Sequence, residues 1–335
     1  MEKANSIETN LLVSVIIPLY NAERYIDAAI TSVLNQSWPN VELVIVDDGS
    51  TDASYEKAKQ YECGNVKIVQ QANKGASAAR NKGLSLACGK FIQFLDADDM
   101  LGPDKIAAQV AALQLNPGKI AVCSTVQFKD GSAPETFEPS GYDESFLSNC
   151  DKPVDFLIRL LGGYDFRGSM VQPAAWLTPR EIIDKAGKWN ESLTLDDDGE
   201  FFARVIMASA GIAKTDGRVY YRKFSASDNN LSSIQSSTAL QSLYSSIKLK
   251  AGYMYQFGES VPANKATYKQ LKELQITSYL TYPALYNTLT DELSAYPRWK
   301  YIPVMGGKFI NSIAIVFGWR LAKRLQLIRK NTSLK

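Results

Sequence analysis

The chain has 335 residues, 45% of them hydrophobic and 21% charged, enough for one large domain or one domain with an appendage, and too apolar for a disordered or collagen-like polymer. It contains no histidine, which excludes Ser-His-Asp and Cys-His hydrolysis, HExxH zinc chemistry and His-carboxylate iron sites, and leaves acid–base work to carboxylates, Lys, Tyr or Cys. The net charge of +2 hides an asymmetry: from Leu293 to Lys335 there are nine basic residues and no acidic one, so the preceding part holds 28 basic against 35 acidic residues, and the tail calls for an anionic partner.

Met1–Asn10 is polar, with no apolar leader segment, and a secretory signal is not expected. Val13–Tyr20 (VSVIIPLY) reads as a buried strand. Glu23–Gln36 follows with Ile26, Ile30, Val33 and Leu34 at helical spacing, and Val41–Val46 (VELVIV) is a second strand that stops at Asp47-Asp48-Gly49-Ser50. Asp52–Tyr61 is a weaker helix, Lys67–Gln71 a third strand, Ser77–Ala87 a helix and Lys90–Leu95 a fourth strand. The alternation predicts a mostly parallel, Rossmann-like α/β sheet with right-handed crossovers. Pro103 opens a helix to Leu115, and Ile120–Phe128 is a fifth strand. Cys63, Cys88, Cys123 and Cys150 match neither a CxxC pair nor a zinc-knuckle spacing; reduced thiols in a cytoplasmic setting are expected.

Ligands of open α/β sheets bind beyond the carboxyl ends of the strands. Polar groups stand there three times: Pro18-Leu19-Tyr20-Asn21, Asp47-Asp48-Gly49-Ser50 and Asp96-Ala97-Asp98-Asp99. Each alone is also an ordinary capped turn. No GxGxxG follows a strand, and Gly83–Phe91 (GLSLACGKF) fails as a phosphate loop, because it has five residues between its glycines, Phe where Ser or Thr belongs, and runs from helix to strand. Asp96 and Asp98, two residues apart at a strand end, suit an oxygen-liganded Mg²⁺ or Mn²⁺ bridging a diphosphate.

Ser14–Asn21 (SVIIPLYN), Ser32–Ser37, Val44–Asp52 (VIVDDGSTD), Asn73–Leu84 (NKGASAARNKGL) and Phe94–Asp99 (FLDADD) resemble, in order and spacing, the successive signatures of inverting glycosyltransferase family 2. The resemblance implies a GT-A fold and a nucleotide-sugar site drawn from Pro18, Tyr20, Asp48, Arg80, Asp96, Ala97 and Arg222. In it Tyr20 stacks on the base, Asp48 accepts a hydrogen bond from the base, and Arg80 pairs with the donor. Asp96 reaches the ribose or metal, Asp98 binds Mn²⁺ or Mg²⁺, and Arg222 reaches the diphosphate. Without the resemblance Tyr20 is a core tyrosine, the aspartates are turn caps and Arg80 is a solvated helix arginine.

The family's catalytic base lies in an acidic motif opening a later helix. Leu195–Arg204 (LDDDGEFFAR), after Gly187–Leu193 (GKWNESL), resembles it and puts Asp198 at the base position with Asp197 as second choice. With a reference pKa of about 3.9 such a base is ionised at neutral pH. Otherwise Asp196–Asp198 is an acidic first helical turn favoured by the helix dipole. Many family members carry Tyr-Arg followed two residues later by His; this chain has Tyr221-Arg222-Lys223-Phe224, then a loop at Ser225–Ser233.

Leu240–Tyr255 and Lys269–Tyr282 have helical periodicity, dividing the chain into a GT-A domain at 1–233 and a helical extension at 234–335 whose aromatics read as packing. Phe309–Trp319 (FINSIAIVFGW) is too short to span a bilayer. Phe309, Ile313, Phe317 and Leu321 recur every four residues beside Arg320, Lys323 and Arg324, which reads either as a basic amphipathic helix on an anionic membrane or as a helix completing the enzyme's own core. No base-reading module is present, so nucleic acid is not an expected partner. The resulting expectation is a metal-dependent, inverting transfer of a sugar from a nucleoside diphosphate sugar, UDP-linked by preference, to a saccharide or lipid-linked acceptor. That places the protein in surface-polysaccharide synthesis, in the cytoplasm or peripherally on the inner membrane face. A nucleotidyltransferase and a catalytically silent nucleotide- or carbohydrate-binding protein are the alternatives.

Overall fold

The computed structural model describes residues 8–224 and 236–332; the loop expected at Ser225–Ser233 lies outside them. The first half follows the expected alternation: β1 (Val13–Leu19), α1 (Ile26–Leu34), β2 (Val41–Asp47), α2 (Ser54–Lys59), β3 (Val66–Gln70), α3 (Ala76–Leu86) and β4 (Phe91–Phe94). A two-residue strand β5 (Met100–Leu101) precedes α4 (Lys105–Leu115) and β6 (Ile120–Lys129). The short helices α5 (Gly141–Glu144) and α6 (Pro153–Leu160) lead to β7 (Trp176–Pro179), α7 (Arg180–Ala186), α8 (Asp197–Ala208) and β8 (Ile212–Lys223).

The strands form one sheet in the order β3-β2-β1-β4-β7-β6-β8-β5. β1 is parallel to β2 and β4, β2 to β3, and β6 to β8. β7 runs against both β4 and β6, and β5 against β8. Residues of β1 and β2 are buried on both faces because helices cover both. Pro18, which has no N–H to donate, sits near the end of β1 where the pairing with β4 has already finished at Ile16. β5, β7 and β8 were not among the strands expected. β5 and β7 are too short to carry a period, but in β8 the buried Ala213, Thr215 and Val219 alternate with Lys214, Asp216 and Arg218, a legible two-residue repeat.

After the undescribed segment come α9 (Ser237–Tyr255), α10 (Val261–Ser278), α11 (Pro283–Leu293), α12 (Lys308–Phe317) and α13 (Trp319–Thr332). Met254 of α9 and Ala263 and Ala266 of α10 join the core of the sheet domain, while Leu240, Ile247, Leu271, Leu274 and Leu289 form a second core among α9, α10 and α11. Tyr268, Trp299 and Tyr301 gather around Phe166, so the aromatics of this region serve as packing. The expected stripe from Phe309 to Leu321 is not continuous: Gly318 adopts φ +86° and separates α12 from α13, putting Leu321 on a different helix from Phe309, Ile313 and Phe317.

Gly83, the residue that imitates a phosphate-loop glycine, has a packing role. A Cβ there would lie 2.4 Å from Ile16 Cγ2, so α3 rests directly on β1. Alanine gains about 1 kcal/mol in helix propensity, but overpacking a filled core costs about 1–3 kcal/mol. Gly83→Ala is therefore expected to lower the chemical-denaturation midpoint rather than raise it.

Candidate active site

The ends of β1 and β2 are tied together by local hydrogen bonds. Asn21, at φ +47°, accepts the Thr51 N–H at Oδ1 (2.8 Å) and donates its own N–H to Ser50 Oγ (3.0 Å). Gly49, at φ +76°, brings its Cα so near the next segment that a Cβ would be 3.0 Å from the Asn73 nitrogen. Asp48 Oδ1 accepts from Gln71 Nε2 (2.8 Å) and the Lys74 N–H (2.9 Å), and Oδ2 accepts from the Gly75 N–H (2.7 Å). The buried Asp48 thus fastens the approach to α3 against the end of β2; Oδ2, with one bond, keeps a second acceptor position. Tyr20 is 50% exposed, hence not a core tyrosine. Pro18 is half-buried beside it and Ala97 is buried at the end of β4.

Arg80 does not lie in solvent. It is 6% exposed, with Nη2 2.8 Å from Asp96 Oδ1, Nη1 3.2 Å from Asp197 Oδ2, and its guanidinium 4.4 Å from the centre of the Trp189 ring. Ser77, one turn earlier on α3, donates to the same Asp197 oxygen at 2.6 Å. Burial works against the charge of Arg80, but Asp96 and Asp197 outweigh it and hold the guanidinium protonated. The side chain therefore joins α3, the end of β4 and the start of α8 and orients both carboxylates.

Arg222 is placed similarly. Its N–H donates to Asp99 Oδ1 (3.0 Å), its Nε to the Asp98 carbonyl (3.0 Å) and its Nη1 to Asp130 Oδ1 (2.8 Å), with the guanidinium between the rings of Tyr25 and Phe128. It braces the Asp98–Asp99 turn from β8. Burial, with the Asp96 charge added, raises the Asp98 carboxyl to about 6, and burial with the charges of Asp98 and Asp96 raises Asp99 well above the usual range. Tyr221 is pushed up to about 12, first by burial and then by Asp99, Asp98, Asp96 and Asp198. This tyrosine faces the acidic cluster, and nothing in the local sequence marks it beyond its neighbour Arg222.

The three consecutive aspartates are sorted by their partners. Asp196, at φ +61°, accepts from Ser246 Oγ (2.6 Å) and pairs with Lys250 Nζ, both on α9; a Cβ on Gly199 would lie 2.2 Å from Asp196 Oδ1. Asp197 is held by Arg80 and Ser77. Asp198 accepts the Gly199 N–H (2.8 Å), and among the described residues its carboxylate has no ion pair. Burial, reinforced by Asp197 and Asp196, raises it to about 7 against an ordinary 3.8, so the expectation of a base fully ionised at neutral pH is corrected. The helical extension takes a direct part: Ser242 Oγ accepts the N–H groups of Thr194 (2.9 Å) and Leu195 (3.1 Å), and Tyr253 donates to Glu200 Oε1 (2.6 Å). Spaced four residues apart on one face of α9, Ser242, Ser246 and Lys250 grip the segment that carries Asp196–Asp198, a role the sequence reading missed.

A cleft of about 770 Å³ lined by Leu11, Lys90, Phe91, Leu115, Pro179 and Arg180 opens elsewhere, at the amino end of β4. It contains none of the strand-end aspartates, and the site argued above is preferred because the carboxyl ends of the parallel strands are where loops converge.

Residues 14–166 match the family model described as Glycosyl transferase family 2. Glycosyltransferase GlyG of Streptococcus pneumoniae serotype 4 is 27% identical over 220 residues, 64% of this chain and 72% of GlyG. The Escherichia coli UDP-Glc:alpha-D-GlcNAc-diphosphoundecaprenol beta-1,3-glucosyltransferase WfgD is 42% identical over 106 residues, 31% of this chain and 42% of WfgD. Several relatives are thus matched over less than half of their own length. S. aureus TarS 1-349, solved in complex with UDP-GlcNAc, superposes with a TM-score of 0.58 at 16% identity, covering 88% of this chain and 95% of that one, a likeness of fold. The likeness to glycosyltransferase family 2 thus lies in residues 14–166, the fold is GT-A, and the similarity to named glycosyltransferases speaks against a nucleotidyltransferase.

Removing Lys250 leaves Asp196 as an uncompensated charge beside Asp197 and Asp198. Lys250→Met is expected to cost about 3–5 kcal/mol, and Asp196→Asn in the same chain to recover part of that, measured by a double-mutant cycle in urea. Asp198 has the opposite linkage. Because folding raises its pKa from 3.8 to about 7, the native state keeps a proton the unfolded chain has lost, and stability falls as pH rises across that window. Asp198→Asn should therefore melt at a higher temperature than the parent at pH 8 and at an equal one at pH 4.

Proposed function

We propose that the protein is an inverting glycosyltransferase that moves a sugar from a UDP-sugar to a hydroxyl of a saccharide or lipid-linked acceptor in cell-surface polysaccharide synthesis, working at the inner face of the cell membrane. The observation that carries the reading is the sorting of the acidic turn: Asp196 and Asp197 are each neutralised by a buried cation, while Asp198 is left as a carboxylate with pKa about 7. A base so poised is a stronger proton acceptor than an ordinary aspartate and is still substantially ionised at neutral pH.

In the proposed reaction Tyr20 stacks on the uracil and Asp48 meets its edge from the turn it fastens. Asp198 takes the proton of the acceptor hydroxyl as that oxygen attacks the anomeric carbon, and the bond to the diphosphate breaks on the opposite side, its electron pair leaving with the phosphate oxygen. Inversion follows from this single displacement. The donor set fits a divalent cation: Asp96 and Asp98 offer oxygen ligands, and the burial and Asp96 repulsion that raise Asp98 are offset by a positive ion. Among the described residues no group of three or more His, Cys, Asp or Glu forms a closed cage; two carboxylates completed by phosphate oxygens and water is the Mg²⁺ pattern. Asp96 and Asp98 would hold Mn²⁺ or Mg²⁺, which supplies neutralisation of charge on the departing diphosphate. Arg80 fixes Asp96 relative to Asp197, and Arg222 fixes the backbone of Asp98. The UDP preference is supported by the donor in the TarS complex and in the name of WfgD.

Asp198→Asn is expected to lower turnover by about 10²–10⁴-fold while leaving donor affinity by calorimetry unchanged; near-normal turnover sinks the assignment, and donor binding with no transfer by the parent would make the protein a silent binder. In the parent, kcat/KM should climb with pH and level off above about 7, and this limb should vanish from the residual activity of the variant.

A further inference from the structure

The tail is the one sequence feature that the active site leaves unused. α12 and α13 fold back on each other around Ile310, Ala314 and Ala322, and Gln326 Nε2 donates to the Met305 carbonyl across the open end. Trp319 then beds the pair on Ile276 and Tyr279. The reading as a helix that packs on the enzyme is thereby met on the inner face, which is buried within the protein.

The outer face is not. Phe309 and Val316 are each 69% exposed and Phe317 70%. At 100° per residue these three and the half-buried Ile313 fall within an arc of about 100°, a continuous apolar strip along α12. Lys308 stands at the start of the strip, and α13 exposes Arg320, Arg324, Leu321 and Ile328. From Leu293 onward there is no acidic residue to offset the nine basic ones. Two copies meeting through this face would oppose like charges, whereas an anionic surface with an apolar interior complements both its components. No helix of the described residues is long and apolar enough to cross a membrane, so the geometry is that of a pair lying in the interface.

We propose that the α12–α13 pair docks the protein on an anionic lipid bilayer, with Phe309, Val316 and Phe317 entering the acyl boundary and Lys308 and Arg324 against the headgroups. This deepens the functional reading by giving the enzyme a lipid surface on which a lipid-linked acceptor would be met, but vesicle binding is measurable without donor or acceptor.

The test is sedimentation of the full chain with vesicles of phosphatidylcholine alone or containing about 30% phosphatidylglycerol. Binding is expected to the anionic vesicles, weaker by about tenfold on the neutral ones and in about 0.5 M salt. Phe309→Ser with Phe317→Ser, and separately Lys308→Glu with Arg324→Glu, should each weaken it about tenfold, with melting temperature and transfer to a water-soluble acceptor unchanged. Asp198→Asn should bind vesicles like the parent, which separates failure of the catalytic reading from failure of this one. Equal binding to both vesicle types, no binding, or full binding by the surface variants overturns the proposal. So does a dimer in solution that Phe309→Ser with Phe317→Ser disperses, which would assign the face to a second copy.

Discussion

Arg80 carries a single positive charge into the space between two acidic segments far apart in the chain. One arm holds Asp96 at the end of β4 and the other holds Asp197 at the start of α8, while the ring of Trp189 supports the guanidinium from one face. The arrangement brings the strand-end carboxylates and the acidic helical turn into one site. Without a buried cation between them, two carboxylate clusters facing one another would repel or take up protons. That residual tension is visible in Asp98 and Asp198, whose carboxyls remain above the usual range.

Two further cations complete the electrostatic frame from the opposite sides. Arg222 on β8 grips the backbone and side chain of the Asp98–Asp99 turn, and Lys250 on α9 neutralises Asp196. The three cations come from a helix early in the chain, the last strand of the sheet and the first helix of the extension. The extension is therefore built into the site: Ser242 receives the backbone N–H groups that lead into α8, and its apolar residues share the main core. In the acidic turn, Asp196 and Asp197 already have cationic partners, and Asp198 is the carboxylate left over.

The order of strands and helices over the first 130 residues was legible because β-branched runs and helical periodicity alternate there without long interruptions. The strand-end aspartates and the acidic turn were legible as well, from their motifs and their resemblance to family 2. Less accessible were β5 and β7, which are too short to show a period and owe their conformation to pairing partners distant in sequence. The intramolecular partners of Arg80 and Arg222, carboxylates and a carbonyl distant in sequence, were not legible, because residue type alone does not say which segments a guanidinium joins. The continuous tail stripe failed at Gly318, where the left-handed backbone turns one apparent helix into two.

The sequence by itself determined the sheet architecture, the likeness to family 2, the absence of imidazole chemistry and the charge contrast between body and tail, because all of these rest on local pattern and composition. Only the tertiary structure decided which of three adjacent aspartates lacks an ion pair, why its proton is held near pH 7, and which face of the tail is left uncovered. Those depend on burial and on charges brought together from residues more than a hundred positions apart, such as Arg80 with Asp197 and Asp99 with Arg222, and Coulomb interactions in a buried site follow distance in space rather than distance along the chain.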